Sequence, residues 1–278
     1  MRPDDFVRFP NIIPMKIKDI AQAIEEFAPA SLAEPYDNVG LLVGDPDAEA
    51  TGVLVNLDVT EGLIDEAVAA GINLIVTHHP IWFTGLKRLN GGDYVSRIII
   101  QSIRKGVALY ACHTNLDNVR DGVNRMIGER LGMQGMQILS VKRGIAHQEA
   151  ETGSGMIGDL PTAYRKEEFM TMVKERFGCG GIRYADAPKA AIQRVAWCGG
   201  AGSFLISNAI LAGADAFLTG DITYHKFFDN EGKILLMDIG HHESEQFTSN
   251  LLHGHLSKIF PSFAVRLSKI KTNPVKYW

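Results

Sequence analysis

Apolar residues recur along this chain with two patterns, one typical of amphipathic helices and one typical of short buried strands. Segments with helical spacing alternate with short, mainly apolar runs, and Thr60 and Gly71 are placed to begin and end one of the helices. In chain order the pattern predicts a helix at 15–27, a strand at 53–57, a helix at 60–71, a strand at 74–76, a helix at 95–105, a strand at 108–111 and a helix at 122–131. Such alternation is typical of a sheet covered by helices.

A repeat inside the chain extends this α/β pattern to its second half. The segment LIDEAVAAGINLIVTHH aligns with LISNAILAGADAFLTGD when the numbering is shifted by 142. Chance is the alternative, because any two strand-helix-strand units share apolar spacing, but the common Ala-Gly and Thr positions favour related halves. We therefore predict two similar α/β lobes with mixed, mostly parallel sheets flanked by helices.

The repeat also predicts the domain boundaries. The first lobe comprises residues 15–132 together with 233–278, which return to it carrying possible metal ligands. The second, related lobe comprises residues 133–232. Residues 1–14 form an N-terminal extension.

Composition narrows the functional classes. The chain has 278 residues, of which 46% are apolar and 22% charged, and these values indicate a globular protein rather than a disordered one. A net charge of −4 and the lack of a basic tract make nucleic acid an unlikely partner. Three widely spaced cysteines indicate packing residues in a reducing compartment. No signal peptide or membrane span is evident, so we expect a cytoplasmic protein.

Two adjacent histidines, His78 and His79, follow the predicted strand at 74–76. In an open sheet of mostly parallel strands, reactive side chains collect at the carboxyl ends of the strands. Adjacent residues that leave a strand point in different directions, so each histidine can bind one of two neighbouring metal ions. The alternatives are a surface pair or a buried histidine with a structural partner.

Two further strand ends carry possible ligands. His113 and Asp117 follow one of them, and Asp117 is either a metal ligand or the cap of a helix or turn. His241 and Glu245 follow the apolar run at 234–239 and lie four residues apart, so a helix places them on one face. The alternative for this pair is a solvated helix start whose acids favour the positive end of the helix dipole.

The three strand ends together offer nitrogen and oxygen ligands for two divalent ions. We prefer His241 to His242 because its partner four residues later is a carboxylate, whereas the partner of His242 is Gln246. Ligation by nitrogen and oxygen without thiolate is typical of zinc, manganese or iron. Two such ions sharing Glu245 would make a nucleophile from water near neutral pH. The candidate metal ligands are His78, His79, Asp117, His241 and Glu245.

A glycine-rich turn and an acidic residue have two interpretations each. The turn at 199–202 either binds an anion through its N–H groups or is simply a tight strand-helix turn. Asp221 occupies the place that His79 has in the first half, and it either faces the same cavity or caps a helix near Thr223. The sequence leaves open the roles of this turn, of Asp221 and of His225.

Six motifs occur along the chain in the order PYDNVGLLVGD, VTHHPIWF, HTNLDN, GGAGS, LTGDITYH and DIGHHESE. As an ordered set they resemble the motifs of the Nif-three-like dinuclear metal proteins, also named GTP cyclohydrolase 1 type 2 homologs, from Met15 to about Val265. The resemblance implies two α/β lobes, two metals in the cleft between them and a hollow hexameric ring. It assigns the metals to the same five ligands. Tyr36 replaces the usual tryptophan, a change that should not affect the metals.

Two functions follow from the resemblance. The first is a metal-dependent hydrolase of a nucleotide or a related small phosphorylated molecule, similar to a GTP cyclohydrolase. In it, His113 or Glu245 moves protons and the glycine-rich turn holds phosphate. The alternative is a non-catalytic, metal-binding regulatory or adaptor protein that acts as a ring-shaped oligomer. The chain has no serine nucleophile elbow, so any chemistry belongs to the metals, and the hydrolase is the favoured hypothesis.

Overall fold

The computed structural model describes residues 15–142 and 152–278, and the predicted extension at 1–14 lies outside the described residues. The α-helices within this part of the chain are α1 Ile17–Phe27, α2 Glu61–Ala69, α3 Tyr94–Lys105, α4 Thr114–Asn118, α5 Val123–Leu131, α6 Lys166–Phe177, α7 Ile206–Leu211, α8 His241–Glu245 and α9 Thr248–Ile259. The strands are β1 Gly40–Val43, β2 Val53–Asn56, β3 Leu74–Thr77, β4 Ala108–Ala111, β5 Gln134–Val141, β6 Gly153–Arg165, β7 Arg183–Ala185, β8 Ala191–Trp197, β9 Ala216–Thr219, β10 Leu235–Asp238 and β11 Val265–Leu267. Among the described helices, none combines the length and the apolar character that crossing a membrane requires.

The first sheet has five strands in the order β1-β4-β3-β2-β11. β1 is antiparallel to β4, and all other neighbours in this sheet are parallel. Every residue of β2, β3 and β4 is buried. Apolar clusters cover both faces of these strands, which explains why their sequences are nearly continuous apolar runs rather than alternating ones.

The second sheet has six strands in the order β5-β6-β8-β9-β10-β7. Its central strands β8, β9 and β10 are parallel, whereas β5 and β6 on one side and β7 on the other are antiparallel to their neighbours. The predicted α/β class with two mixed sheets flanked by helices is confirmed. Parallel pairs dominate the first sheet, and the second sheet adds antiparallel strands at both margins.

The internal repeat is visible in the registers of the strands. Val53 pairs with Leu74 in the first sheet, and a shift of 142 residues carries this pair to Val195 and Ala216, which pair in the second sheet. In both sheets a third parallel strand follows on the same side, and an antiparallel strand, β1 or β7, lies beyond it. Equal register and equal strand order support two related halves rather than a chance likeness of apolar spacing.

A continuous hydrophobic core joins the two sheets. Alternate residues of the central strands enter it, as the period of two in a strand requires. Val53 and Val55 of β2 belong to this shared core, whereas Leu54 enters a separate cluster on the other face of the first sheet. Leu218 of β9 belongs to the shared core, and Phe217 enters a cluster on the other face of the second sheet. Shared apolar burial therefore holds the two lobes together.

The strand β10 corrects the predicted domain boundary. Residues 233–278 are predicted to return to the first lobe, but β10 lies in the second sheet, between β9 and β7. All residues of β10 are buried, so its backbone needs a pairing strand on each side. By contrast, β11 pairs with β2 in the first sheet. The side chains that follow β10 therefore reach the site from the second lobe.

Gly128 in α5 provides a test of the packing between this helix and β8. A Cβ at Gly128 would overlap the Trp197 ring and the Met136 sulfur. Alanine is favoured over glycine in a helix by about 1 kcal/mol, but overpacking a core costs about 1–3 kcal/mol. We therefore expect Gly128→Ala to lower the free energy of unfolding by about 1–2 kcal/mol in urea denaturation.

Gly254 is the matched control, because it lies in α9 and a Cβ there meets nothing within 4 Å. Gly254→Ala should raise the free energy of unfolding by about 0.5–1 kcal/mol. Equal stability of the two variants would show that α5 does not pack as closely on Trp197 as described.

Candidate metal centre

The carboxyl ends of strands from both sheets meet at one cavity of about 1000 Å³. β3 leads into His78 and His79, and β4 leads into α4, which contains Asp117. From the second sheet, β10 leads into α8, which begins at His241 and ends at Glu245. The structure thus brings all the ligands predicted from the strand ends into one place.

Glu245 lies at the centre of this cluster, and its side chain is 3% exposed. Its Oε2 lies 3.1 Å from His79 Nε2 and 3.0 Å from His241 Nε2. Its Oε1 lies 3.7 Å from His78 Nε2, which is in turn 3.6 Å from Asp117 Oδ1. Among the described residues, three groups in this cluster can hold a metal ion. The first is His79 with His241 and Glu245, the second is His78 with Asp117 and Glu245, and the third is His78 with His79 and His113.

Two buried atoms of the second group have no hydrogen-bond partner among the described residues, namely His78 Nε2 and Asp117 Oδ1. Buried polar atoms in folded proteins nearly always have a partner, so each exception needs an explanation. An imidazole nitrogen and a carboxylate oxygen are common ligands of zinc, manganese and iron. The residues present therefore fit a bound divalent cation.

The opposite ring nitrogens of the first-lobe ligands are held by oxygen acceptors. His78 Nδ1 donates to the carbonyl oxygen of Cys112 at 2.8 Å, which leaves Nε2 unprotonated in the neutral ring. His79 Nδ1 lies 2.7 Å from Asp58 Oδ1. Such partners fix the orientation of histidines that bind metals. Both rings are thus held with Nε2 toward Glu245.

Asp221 has the same role for His241 in the second lobe. Its carboxylate lies 2.8 Å from His241 Nδ1 and lines the cavity. Of its two interpretations, the structure supports the one in which Asp221 faces the cavity, because its carboxylate engages His241 there. His225 lies on the 3-10 helix Tyr224–Asn230 beside the rings of exposed aromatic residues, outside the lining of the cavity.

His113 lies beside the ligand histidines, with its ring centroid 5.1 Å from that of His78. His113 Nδ1 is 2.8 Å from Asp37 Oδ1, and the backbone N–H and hydroxyl of Thr114 donate to the other oxygen of Asp37. Burial favours the neutral form of Asp37, but the hydrogen bonds with His113 and Thr114 outweigh it and lower the pKa to about 2. Asp37 is therefore an anion near neutral pH and fixes the His113 ring.

The sequence patterns do not reveal the roles of Asp37 and Asp58. Asp58 follows β2 at the same sheet edge as the ligands, so the strand-end rule could have found it. Asp37 precedes β1, where the sequence shows only a turn. It approaches His113 because Gly40 of β1 pairs with Ala111 at the end of β4, a long-range contact that no local pattern shows.

Three backbone N–H groups of the glycine-rich turn at 199–202 already have acceptors within the protein. The N–H groups of Gly199, Gly200 and Gly202 donate to Asn124 Oδ1, Ser244 Oγ and Thr219 Oγ1. These three N–H groups therefore do not support the interpretation in which the turn holds phosphate. The alternative, a tight strand-helix turn, agrees with the positive φ of 57° at Gly200.

Gly200 of this turn and Gly220 instead leave space for the candidate ligands Glu245 and His241. A Cβ at Gly200 would lie 3.0 Å from Glu245 Cδ and would overlap Oε1. A Cβ at Gly220 would lie 2.8 Å from the backbone of His241. Glycine at these positions therefore allows Glu245 and His241 to approach closely from α8.

The ligands have strongly shifted pKa values. Burial opposes the protonation of His79, but hydrogen bonds with Asp58 and Glu245 raise its pKa to about 9. The same balance, with Asp221 and Glu245 as partners, raises the pKa of His241 to about 11. Burial and the charge of Glu245 raise the pKa of Asp117 well above its usual range. The pKa of Glu245 lies well below its usual range, since the neighbouring imidazoles of His241, His78 and His79 outweigh the effect of its burial.

We expect Gly200→Ala to weaken metal binding by about tenfold or more, because its Cβ displaces the Glu245 carboxylate. Gly213→Ala is the matched control: Gly213 also has a positive φ, of 73°, but a Cβ there meets nothing within 4 Å. Both variants should lose about 1 kcal/mol of stability from the left-handed backbone. The metal affinities of the two variants are compared by titration, and their metal contents by elemental analysis. Equal affinities would contradict the close approach of Gly200 to Glu245.

Metal binding should release protons. The pKa values of about 9 and about 11 mean that His79 and His241 are protonated at pH 7 in the metal-free protein. A metal ion requires the neutral ring, so about two protons leave each chain and the affinity rises between about pH 6 and about pH 9. Calorimetric titration with zinc at pH 7, in buffers of different ionisation enthalpy, measures the protons released. An enthalpy that is the same in every buffer would contradict this assignment.

Comparisons with known proteins confirm the resemblance seen in the motifs. A GTP cyclohydrolase 1 type 2 homolog of Clostridium acetobutylicum is 35% identical over 268 residues, covering 95% of this chain and 99% of that protein. A hypothetical protein of Staphylococcus aureus has a solved structure that is similar with a TM-score of 0.86 at 31% identity, covering 95% of this chain and 100% of the other.

A Bacillus cereus protein related to NIF3 has a TM-score of 0.88 at 22% identity, covering 95% of this chain and 99% of that one, and this likeness shows the fold alone. The family model described as Duf34/NIF3 (NGG1p interacting factor 3) matches residues 15–274. Because this match includes every candidate ligand and nearly the whole described chain, the protein belongs to the Duf34/NIF3 family.

Proposed function

We propose that this protein is a hydrolase that holds two divalent metal ions and acts on a nucleotide or a related small phosphorylated molecule. The observation that carries the proposal is the position of the Glu245 carboxylate. Its Oε1 faces His78, and its Oε2 faces His79 and His241. A carboxylate in this position can bind two ions at once. The names of relatives such as the GTP cyclohydrolase 1 type 2 homolog of Clostridium acetobutylicum agree with hydrolysis of a nucleotide.

The donor set suits zinc, manganese or iron, because it combines imidazole with carboxylate. Cys198 also lines the cavity, but burial, followed by the charges of Asp117 and Glu245, raises the pKa of its thiol well above the usual range. Cys198 belongs to none of the groups of described residues that could hold a metal ion, so it is left out of the set. When bound, two divalent ions lower the pKa of water and supply a nucleophile near neutral pH.

His113 is better placed than Glu245 to move protons. Both oxygens of Glu245 face ligand imidazoles, and its pKa lies well below the usual range because of those imidazoles. His113 lines the same cavity, and Asp37 engages its Nδ1, so Nε2 is the nitrogen left to exchange a proton with a substrate. The Asp37 carboxylate also fixes the orientation of the His113 ring. We therefore assign metal binding to Glu245 and proton transfer to His113.

The cavity has room for a molecule of nucleotide size, since ligand pockets commonly measure about 300–1,000 Å³. Tyr36, Phe83 and Phe204 supply aromatic surface to its lining. Arg183 is the one lysine or arginine among the described residues that line it, and its guanidinium pairs with Asp238. In the proposed complex, Arg183 is the basic side chain that would contact the phosphate of the substrate, and bound divalent ions would add positive charge beside it.

The test is a hydrolysis screen over nucleotides, with protein loaded separately with zinc, manganese and iron. Wild-type protein should hold about two ions per chain and turn over at least one substrate. His113→Gln should keep both ions and lower kcat by about 10²–10⁴-fold, because only the proton carrier is lost. His225→Gln, on the exposed 3-10 helix, is the control and should match wild type in both measurements.

Three outcomes separate the parts of this proposal. No turnover in wild type with any of the metals would end the hydrolase hypothesis. Unchanged kcat in His113→Gln would remove the assigned role of His113 alone. Wild-type protein that holds no metal after reconstitution would contradict the centre itself.

A surface feature favours a second candidate function. Four aromatic side chains, Tyr184, Tyr224, Phe227 and Phe228, line a hollow of about 470 Å³ at the β7 edge of the second sheet. Tyr184, Tyr224 and Phe228 are 51%, 70% and 64% exposed, and exposed aromatic groups are typical of protein contacts. A non-catalytic adaptor in a ring-shaped hexamer would use such a face. Metal-loaded protein that assembles but hydrolyses nothing in the screen would favour this alternative.

A further inference from the structure

The C-terminal segment, residues 268–278, runs past the metal cavity although it contains neither helix nor strand. It begins after β11 in the first sheet, and Ser268 is still tied to that sheet through the carbonyl of Val55. Farther along, Asn273, Val275 and Tyr277 line the cavity itself. The segment is therefore part of the wall of the site.

Thr272 connects this segment to a metal ligand. Its hydroxyl donates to Asp58 Oδ2 at 2.6 Å, and the other oxygen, Oδ1, lies 2.7 Å from His79 Nδ1. Each oxygen of Asp58 thus has one partner, a hydroxyl on one side and an imidazole on the other. A carboxylate held at both oxygens cannot rotate without losing a hydrogen bond, so the direction of the His79 ring depends on Thr272.

The residues that follow Thr272 attach the segment to the second lobe. Asn273 Nδ2 lies 3.3 Å from Glu243 Oε1, and Glu243 is buried in α8 between His241 and Glu245. The ring of Tyr277 lies against Gly180, where a Cβ would overlap it. The segment therefore contacts both the residue that orients His79 and the helix that carries the other ligands of the same group.

We propose that Thr272 is a positioning residue for the metal ligand His79, acting through Asp58, and that the C-terminal segment links Asp58 to α8. Acidic partners of metal-binding histidines set ring orientation and basicity, and their loss usually weakens metal affinity by about 10–100-fold. Thr272 acts on His79 through Asp58, since its hydroxyl holds the oxygen of Asp58 that does not face His79. This inference rests on the proposed metal centre but not on hydrolysis.

The test compares three threonine variants by titration with zinc and by the visible spectrum of the cobalt-loaded protein. Thr272→Val removes the hydroxyl at nearly constant volume, and it should weaken one of the two bound ions by about tenfold and change the cobalt bands. Thr272→Ser keeps the donor and should restore both. Thr171→Val is the control, since this hydroxyl bonds to Glu167 on the exposed face of α6.

A double-mutant cycle shows whether Thr272 acts through Asp58. Asp58→Asn should itself weaken the same ion, and adding Thr272→Val should then cause no further loss. Additive losses would overturn the assigned route through Asp58. Equal affinity and equal cobalt spectra in wild type and Thr272→Val would overturn the inference while leaving the metal centre intact. Wild-type protein that binds no metal would overturn both.

Discussion

The buried carboxylate of Glu245, surrounded by imidazoles from both lobes, is the interaction on which the rest of this structure depends. A charge removed from water is costly unless partners stabilise it, and here those partners are His78, His79 and His241. His78 and His79 follow a strand of the first sheet, whereas His241 lies with Glu245 on α8, the helix that follows β10 of the second sheet. The lobes must therefore keep one fixed relation, and the apolar core that they share provides it.

Acidic residues around the candidate centre orient its histidines through hydrogen bonds. Acidic groups fix the outer nitrogens of three rings: Asp58 holds His79, Asp221 holds His241, and Asp37 holds His113. Their charges also raise the pKa of His79 and His241, so binding of a cation competes with binding of protons. The glycines in the turn at 199–202 allow close packing, because their N–H groups are already bonded. A Cβ at Gly200 would displace Glu245, and one at Gly202 would overlap Cys198 and Thr219.

The two halves of the repeat have diverged at the positions that carry chemistry. The strands keep their register, yet the second half has Asp221 where the first has His79, and Gly220 where the first has His78. After the third parallel strand, each half presents a histidine and a carboxylate four residues apart, His113 with Asp117 and His241 with Glu245. The first half thus supplies the candidate ligand Asp117 and the proposed proton carrier His113, and the second supplies the candidate ligands His241 and Glu245. A common backbone plan has produced one asymmetric site.

The sequence by itself determined the α/β class, most element positions and the five candidate ligands, because apolar periodicity marks buried strands and parallel strands collect polar groups at one edge. It also showed the repeat, since the spacing of the matching apolar, glycine and threonine positions can be seen along the chain. The tertiary structure decided which sheet receives β10, since a short apolar strand carries no record of its partners. It alone placed Asp37 beside His113, Thr272 beside Asp58, and the hydrogen-bonded side chains of Asn124, Ser244 and Thr219 at the glycine turn. Each of these contacts joins residues far apart in the chain, and no local pattern encodes such a meeting.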